Sequence, residues 1–66
     1  MRKVTISIHL MRARSEALVI ALVGKDFAPK WWSSPNKAFG MNTPDERFKE
    51  YPEEVYNYLM FQGYGP

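Results

Sequence analysis

Cysteine and histidine content constrain this chain more than any other feature. Its 66 residues include no cysteine and one histidine, His9, which excludes disulfides, thiolate metal sites and the common multi-histidine zinc sites. A domain this short buries only about 60% of its unfolded surface, and its own core supplies roughly 3–5 kcal/mol. We therefore expect one domain over residues 1–66, with no cofactor and with a partner as the source of further stability.

The N-terminal segment Val4–Leu10 alternates apolar and polar side chains. A period of two that is rich in β-branched residues predicts a strand, and the rest of the chain contains no second convincing one. A lone strand needs partners for its backbone groups. Three alternatives follow: pairing with its own copy in a homodimer, addition to a sheet of another protein, or a helical conformation. His9 is expected at the surface. The chain then divides into a strand or arm over residues 1–12 and a helical domain over residues 15–66.

Apolar runs in this sequence are short. The longest, Ala17–Val23, has seven residues, far fewer than the ~20 that span a bilayer. The basic N-terminus is not followed by the apolar block of a secretory signal. We expect a cytoplasmic protein without membrane contact.

Two helices are predicted in the first half of the helical domain. The first opens at Ser15 and is apolar nearly all round up to Gly24, which is a plausible stop; Met11–Arg14 could extend it. Asp26 is a candidate cap for the second helix, with Pro29 in its first turn. Ser33–Asn36 ends that helix, because the residue before a proline is pushed out of helical geometry. Its predicted core-facing residues are Phe27, Ala28, Trp31 and Trp32.

Two further helices are predicted after a turn through Gly40. Thr43, Pro44 and Glu46 have the spacing of a capping box with proline at the first helical position, and Phe48 is the expected core residue. The last helix starts at Tyr51–Glu54 and ends at Gly63, which leaves residues 64–66 as a free tail. Its predicted apolar stripe is Val55, Tyr58, Leu59 and Gln62, flanked by Tyr56 and Met60. The predicted fold is thus mainly α: a small bundle of four short helices with one N-terminal β-strand.

Charge is distributed unevenly along the chain. Residues 1–43 contain seven lysines and arginines against two acidic residues, a net charge of +5, whereas residues 44–66 carry −3. A basic half attracts nucleic acid or an acidic protein face. No aromatic-and-basic RNA motif or zinc finger accompanies it. A small nucleic-acid-binding or transcription-modulating protein is therefore the alternative functional hypothesis.

No motif in the sequence indicates a nucleophile, an acid/base pair or a metal site. The carboxylates Asp45, Glu46, Glu53 and Glu54 lie in first turns of predicted helices, where capping and the helix dipole account for them. We expect no enzymatic activity. Ten of the 66 residues are aromatic, and four of these fall within Tyr56–Tyr64. Because tyrosine and tryptophan anchor protein interfaces, binding to a protein is the favoured function.

An ordered series of motifs resembles a known family. The segment Trp32–Gly40, then Thr43-Pro44, then Val55 and Leu59, and finally Tyr64-Gly65 is similar to the toxin-binding domain of Xre/MbcA/ParS antitoxins. That family shows a tryptophan, a Pro-Asn, an Ala-Leu-Gly-Gly, a Thr-Pro and a closing Tyr-Gly-like ending in this order. The resemblance covers about residues 17–65.

The resemblance implies an all-helical domain that binds a RES-type toxin, an enzyme that consumes NAD, and blocks its active site with the C-terminal end. Carried onto this sequence, the partner contacts come from Tyr58, Gln62, Gly63, Tyr64 and Gly65. The residues that would shape the turn and the cap are Trp32, Pro35, Asn36, Gly40, Thr43 and Pro44.

This sequence departs from the family pattern in four respects, one of which is a slightly shorter segment between Thr43 and Val55. Met41 follows Gly40 where the family has a second glycine, so one backbone freedom is lost. Asp45 and Arg47 stand where the family tends to have leucines. We expect no counterpart of the family's N-terminal helix-turn-helix region within residues 1–66. A minimal antitoxin, a phage-encoded mimic that neutralises or hijacks a host system, and a binder of another protein are the forms such a chain could take.

Overall fold

The computed structural model describes residues 7–64, with side chains through residue 62. Within this range the chain is mainly helical, as predicted, and contains no strand. Four α-helices and one short 3-10 helix follow one another: α1 Ile8–Val23, α2 Ala28–Ser33, the 3-10 helix Lys37–Phe39, α3 Pro44–Glu50 and α4 Pro52–Tyr64.

The first helix begins earlier than the sequence predicts. Ser7 is extended (φ −63°, ψ 151°), and its hydroxyl accepts a hydrogen bond from the Leu10 amide at 3.1 Å. This cap satisfies one of the amides that a helix start leaves unpaired. The strand prediction is therefore wrong for Ile8–Leu10, while residues 4–6 lie outside the described residues. A polar residue between apolar ones suits a helix cap as well as a strand, and the alternation does not distinguish them.

A single helix therefore includes Met11–Arg14, the extension that the sequence allowed. Ser15 does not open a helix: it lies in the middle of α1 and is fully buried. The helix also crosses the expected division between an arm over residues 1–12 and a domain over residues 15–66.

The junction between α1 and α2 is made by backbone hydrogen bonds. Gly24, at φ 95°, ends α1 as predicted, and its amide donates to the Ile20 carbonyl at 2.8 Å. The Ala28 amide donates to the Gly24 carbonyl at 3.0 Å. Asp26 does not cap α2: the N-cap position is Phe27, and no side-chain hydrogen bond is made there among the described residues. A turn directly joined to the preceding helix leaves Asp26 one position too early.

The start of α3 and the C-terminal end of α4 test the predicted boundaries. The capping box is confirmed: Thr43 Oγ1 accepts from the Glu46 amide at 3.1 Å, and Glu46 Oε1 accepts from the Thr43 amide at 3.4 Å. The predicted stop at Gly63 is wrong, because α4 continues to Tyr64. A glycine inside a helix costs ~1 kcal/mol relative to alanine, which is too little to end a helix by itself.

Helices α1 and α4 lie side by side and run in the same direction. Ile8 and Met11 share a groove with the first turns of α4, and Leu18 shares another with Tyr56 and Met60. Helix α2 folds back along α1, since residues at its end contact the first half of α1. The last residues of α4 are thereby held at one end of the bundle.

Every helix contributes to one hydrophobic core. Phe48 is buried as predicted, as are Ala28 and Trp32 of α2, whereas Phe27 is 48% exposed and Trp31 is half-buried. Phe27 precedes the first turn of α2 and so does not share the face of Ala28 and Trp32. The buried apolar residues are Met11, Val19, Ala28, Trp32, Phe39, Phe48, Val55 and Leu59.

Candidate protein-binding surface

The C-terminal turns of α4 present an exposed aromatic side chain beside an anchored one. Phe61 is 66% exposed, the largest fraction among the large hydrophobic residues that the structure describes. Gln62 is exposed and Tyr58 is half-buried. We call these three residues the α4-end surface. Gly63 and Tyr64 follow in the last turn of the α4 backbone, and Gly65 lies outside the described residues.

Tyr58 is the first member of a continuous row of aromatic rings that contact one another. Its ring meets Phe39 edge to face, with centroids 5.2 Å apart. Phe39 meets Trp31 at 6.5 Å, Trp31 meets Trp32 at 5.2 Å, and Trp32 meets Phe48 at 6.0 Å. Edge-to-face pairs stabilise by about 0.5–1.5 kcal/mol beyond the burial of their area. The row therefore fixes Tyr58 against three other elements, and no local sequence pattern indicates the order of the rings.

A hydrogen-bonded turn over residues 36–42, the Asn36 turn, carries the middle of that row. The Asn36 side-chain oxygen accepts from the Ala38 amide at 2.9 Å. Its backbone carbonyl accepts from the amides of Phe39 (3.0 Å) and Met41 (2.9 Å), and its own amide donates to the Asn42 carbonyl at 3.0 Å. One residue thus organises both sides of the turn and places Phe39 against α4.

Two consecutive left-handed residues complete the Asn36 turn. Gly40 has φ 63° and Met41 has φ 71°. A left-handed conformation costs an L-residue with a side chain roughly 1–2 kcal/mol. The backbone at position 41 thus adopts the left-handed conformation that glycine would allow without strain, although the residue there is methionine.

Arg47, which belongs to α3, contacts both the Asn36 turn and α4. Its Nη2 donates to the Phe39 carbonyl at 2.7 Å, and its Nη1 lies 3.5 Å from Glu54 Oε1. A Cβ on Gly40 would come 3.5 Å from the same Nη2. Arg47, which departs from the family pattern, therefore has a structural role that sequence reasoning missed.

The other residues predicted to be structural occupy different environments. Trp32 and Pro44 are buried, and Thr43 caps α3. Pro35 is exposed, and its contribution is to keep Ser34 extended (φ −106°, ψ 143°) at the end of α2.

Arg12 joins three helices through its guanidinium. Its Cζ lies 3.8 Å from the centroid of Trp32, and its nitrogens pair with Glu16 at 3.2 Å and with Asp45 at 3.0 Å. The Arg12–Glu16 spacing of four residues is a readable helix signal, whereas no local pattern indicates the contact with Asp45. Part of the basic excess in residues 1–43 is therefore neutralised within the bundle.

Neither a metal-ligand cluster nor a membrane-spanning helix is found in the described part of the chain. Across residues 7–64, no three histidine, aspartate or glutamate side chains are grouped as they would be around a metal ion. His9 is exposed on α1. None of the described helices has both the length and the apolar character needed to cross a membrane.

Comparisons with known proteins identify no relative. No protein-family model matches the chain, and no curated protein or solved structure matches it.

Proposed function

We propose that this chain is a non-enzymatic protein-binding module whose contacts come from the α4-end surface and from residues 63–65 directly after it. The observation that carries the proposal is the 66% exposure of Phe61 beside the half-buried Tyr58. Interface hot spots are enriched in tryptophan, tyrosine and arginine, and phenylalanine is enriched at interface cores. A partner that covers Phe61 would remove this exposed ring from water, which favours binding.

Preorganisation supports the same proposal. Tyr58 is held by Phe39, and Phe39 is held by the Asn36 turn and by Arg47. A surface that is ordered before binding loses less conformational entropy when a partner docks. Gln62 adds an exposed polar group that can hydrogen-bond at the edge of the contact.

The class of partner follows from the family resemblance. The series from Trp32 to Gly65 resembles antitoxins that occlude a RES-type toxin, and that resemblance implies contacts from the C-terminal end, to which the α4-end surface belongs. We therefore propose that the partner is an NAD-consuming enzyme of this type, with the chain acting as a minimal antitoxin or as a phage-encoded mimic of one.

Co-expression with a RES-type toxin tests this proposal. The wild-type chain should rescue growth and co-purify with the toxin. Phe61→Glu should weaken binding by about 30-fold or more, equivalent to ~2 kcal/mol, because it places a charge in an apolar contact.

Phe27→Glu is the matched control, since Phe27 is also an exposed phenylalanine (48%) but lies at the start of α2. It should bind and rescue like the wild type. Failure of the wild-type chain to bind the toxin would overturn the partner class. Equal binding by the two variants would overturn the placement of the surface. Salt-sensitive binding of the wild-type chain to DNA or RNA would instead favour the alternative hypothesis.

A further inference from the structure

Helix α1 is apolar on nearly all sides, although the bundle covers only one of them. Eleven of its 16 residues are apolar, and a helix of this kind is normally buried on most sides. Helices α2 and α4 pack against α1, and its buried residues Met11, Ser15 and Val19 recur at every fourth position. The opposite face of α1 is in solvent, so a partner that covers it would remove apolar area from water.

The exposed face of α1 has the spacing of a seam between paired helices. Leu10, Ala13, Ala17 and Ile20 follow one another in steps of three, four and three residues, as the a and d positions of a heptad do. All four are exposed, Leu10 by 46% and Ile20 by 43%. At 3.6 residues per turn these positions lie on the side of α1 that faces away from Ser15. We call these four residues the α1 seam.

We infer that the α1 seam pairs, in parallel and in register, with the α1 seam of a second copy of this chain. A two-fold dimer brings the same surface of both copies together, so each residue of the seam meets its own counterpart. Small residues in the middle, Ala13 and Ala17, let the two helix axes approach closely. Leu10 and Ile20 supply apolar contact towards the two ends of the seam. The shape of the seam therefore matches itself.

Charge beside the seam favours the parallel arrangement of a second copy. Arg14 lies on one flank of the seam and Glu16 on the other. Arg14 is exposed and forms no ion pair with any residue of the described chain. In a parallel helix pair each flank faces the opposite flank of the partner, so the Arg14 flank of each copy faces the Glu16 flank of the other. An antiparallel pair would bring the two Arg14 flanks together.

Sedimentation equilibrium tests whether this dimer forms. The α1 seam covers less than two heptads, so we expect a weak dimer with a Kd below about 1 mM. The mass of the wild-type chain should therefore rise from monomer towards dimer as its concentration increases. A wild-type chain that stays monomeric at about 1 mM, where a Kd of this size predicts substantial dimer, would overturn the proposal.

A charge placed in the seam tests whether the dimer uses this face. Ala17→Glu sets two like charges opposite each other and should raise the Kd by about 10-fold or more. Because Ala17 is exposed and glutamate is a good helix former, the denaturation midpoint of the diluted variant should match the wild type. Ala38→Glu is the matched control, since Ala38 is an exposed alanine outside α1, and it should dimerise like the wild type. Equal Kd values for the two variants would overturn the proposal.

Disulfide formation tests the parallel register independently of Ala17. The chain has no cysteine, so Leu10→Cys adds a single thiol, which a parallel pair places beside its own copy. Leu22→Cys is the matched control, because Leu22 is an equally exposed leucine of α1 (47%) that lies off the seam. In a glutathione redox buffer, Leu10→Cys should form the disulfide-linked dimer about 10-fold faster or more, because the paired helices raise the effective concentration of the thiol. Equal rates would overturn the parallel pairing.

The α1 seam and the α4-end surface share no residue. Phe61→Glu, which should weaken toxin binding, should therefore leave the Kd of the dimer unchanged. Ala17→Glu should still bind the toxin as a monomer, so either proposal can fail without the other.

Discussion

The Asn36 turn and the α4-end surface are neighbours in space but are stabilised in opposite ways. The turn satisfies its polar groups internally: a single asparagine accepts three hydrogen bonds and donates one. The α4-end surface leaves its largest apolar side chain, Phe61, in solvent. Phe39 connects the two, because it belongs to the turn and its ring contacts Tyr58. A rigid polar turn can therefore hold an apolar surface in place without covering it.

Removing the connection should have the largest effect. Phe39 is 1% exposed, so Phe39→Ala leaves a cavity and should lower the free energy of unfolding by about 3–5 kcal/mol. Because a domain of this size has about that much stability in total, the variant should be largely unfolded. Urea titration followed by circular dichroism measures this, with the exposed Phe27→Ala changing stability by no more than about 0.5 kcal/mol. A folded Phe39→Ala protein would contradict the role of Phe39 as the connection.

Removing one polar anchor of the turn should have an intermediate effect. Asn36→Ala deletes the side-chain acceptor for the Ala38 amide and should cost about 1 kcal/mol. Asn42→Ala is the control in the same turn, since the Asn42 contacts in the described structure are made by its backbone. If the two variants have equal denaturation midpoints, the side chain of Asn36 does not organise the turn.

Relieving the strain of the turn should stabilise the protein. Met41 is left-handed and 58% exposed, so Met41→Gly removes a steric penalty at little cost in packing and should add about 0.5–1 kcal/mol. The melting temperature should rise by about 2–8 °C. Ala38→Gly, at a position in the 3-10 helix without positive φ, should instead be destabilising. A lower melting temperature for Met41→Gly would show that position 41 carries no relievable strain.

The smallest change in stability is expected at the α4-end surface itself. Phe61→Ala removes a side chain that is mostly in solvent, so its free energy of unfolding should stay within about 0.5 kcal/mol of the wild type. The same urea titration measures it. A loss of 2 kcal/mol or more, typical of core truncations, would place Phe61 in the core and remove the reason for proposing a partner there.

Local signals in the sequence predicted the helical elements well and their packing poorly. Thr43 and Glu46 identify the start of α3 because both halves of the capping box lie within one turn. Arg12 and Asp45 are far apart in the chain, and their 3.0 Å contact depends on how α1 and α3 pack.

The strand prediction shows the same limit at the N-terminus. Alternation in Val4–Leu10 fits a strand, yet Ser7 caps a helix that packs against α4, and the alternation alone indicates neither contact. For the candidate surface, the sequence indicates Tyr58 and Gln62 but not Phe61. The sequence alone does not show whether an aromatic residue on a helix is buried or exposed.

The two adjacent tryptophans give the molecule an optical property of its own. Trp31 and Trp32 hold their rings at 90° with centroids 5.2 Å apart, so the absorbance and emission of each indole depend on the position of the other. Trp31 also contacts Phe39, which contacts Tyr58. Occupation of the α4-end surface should therefore perturb this native chromophore pair, so that binding can be followed by absorbance and emission on the unlabelled chain.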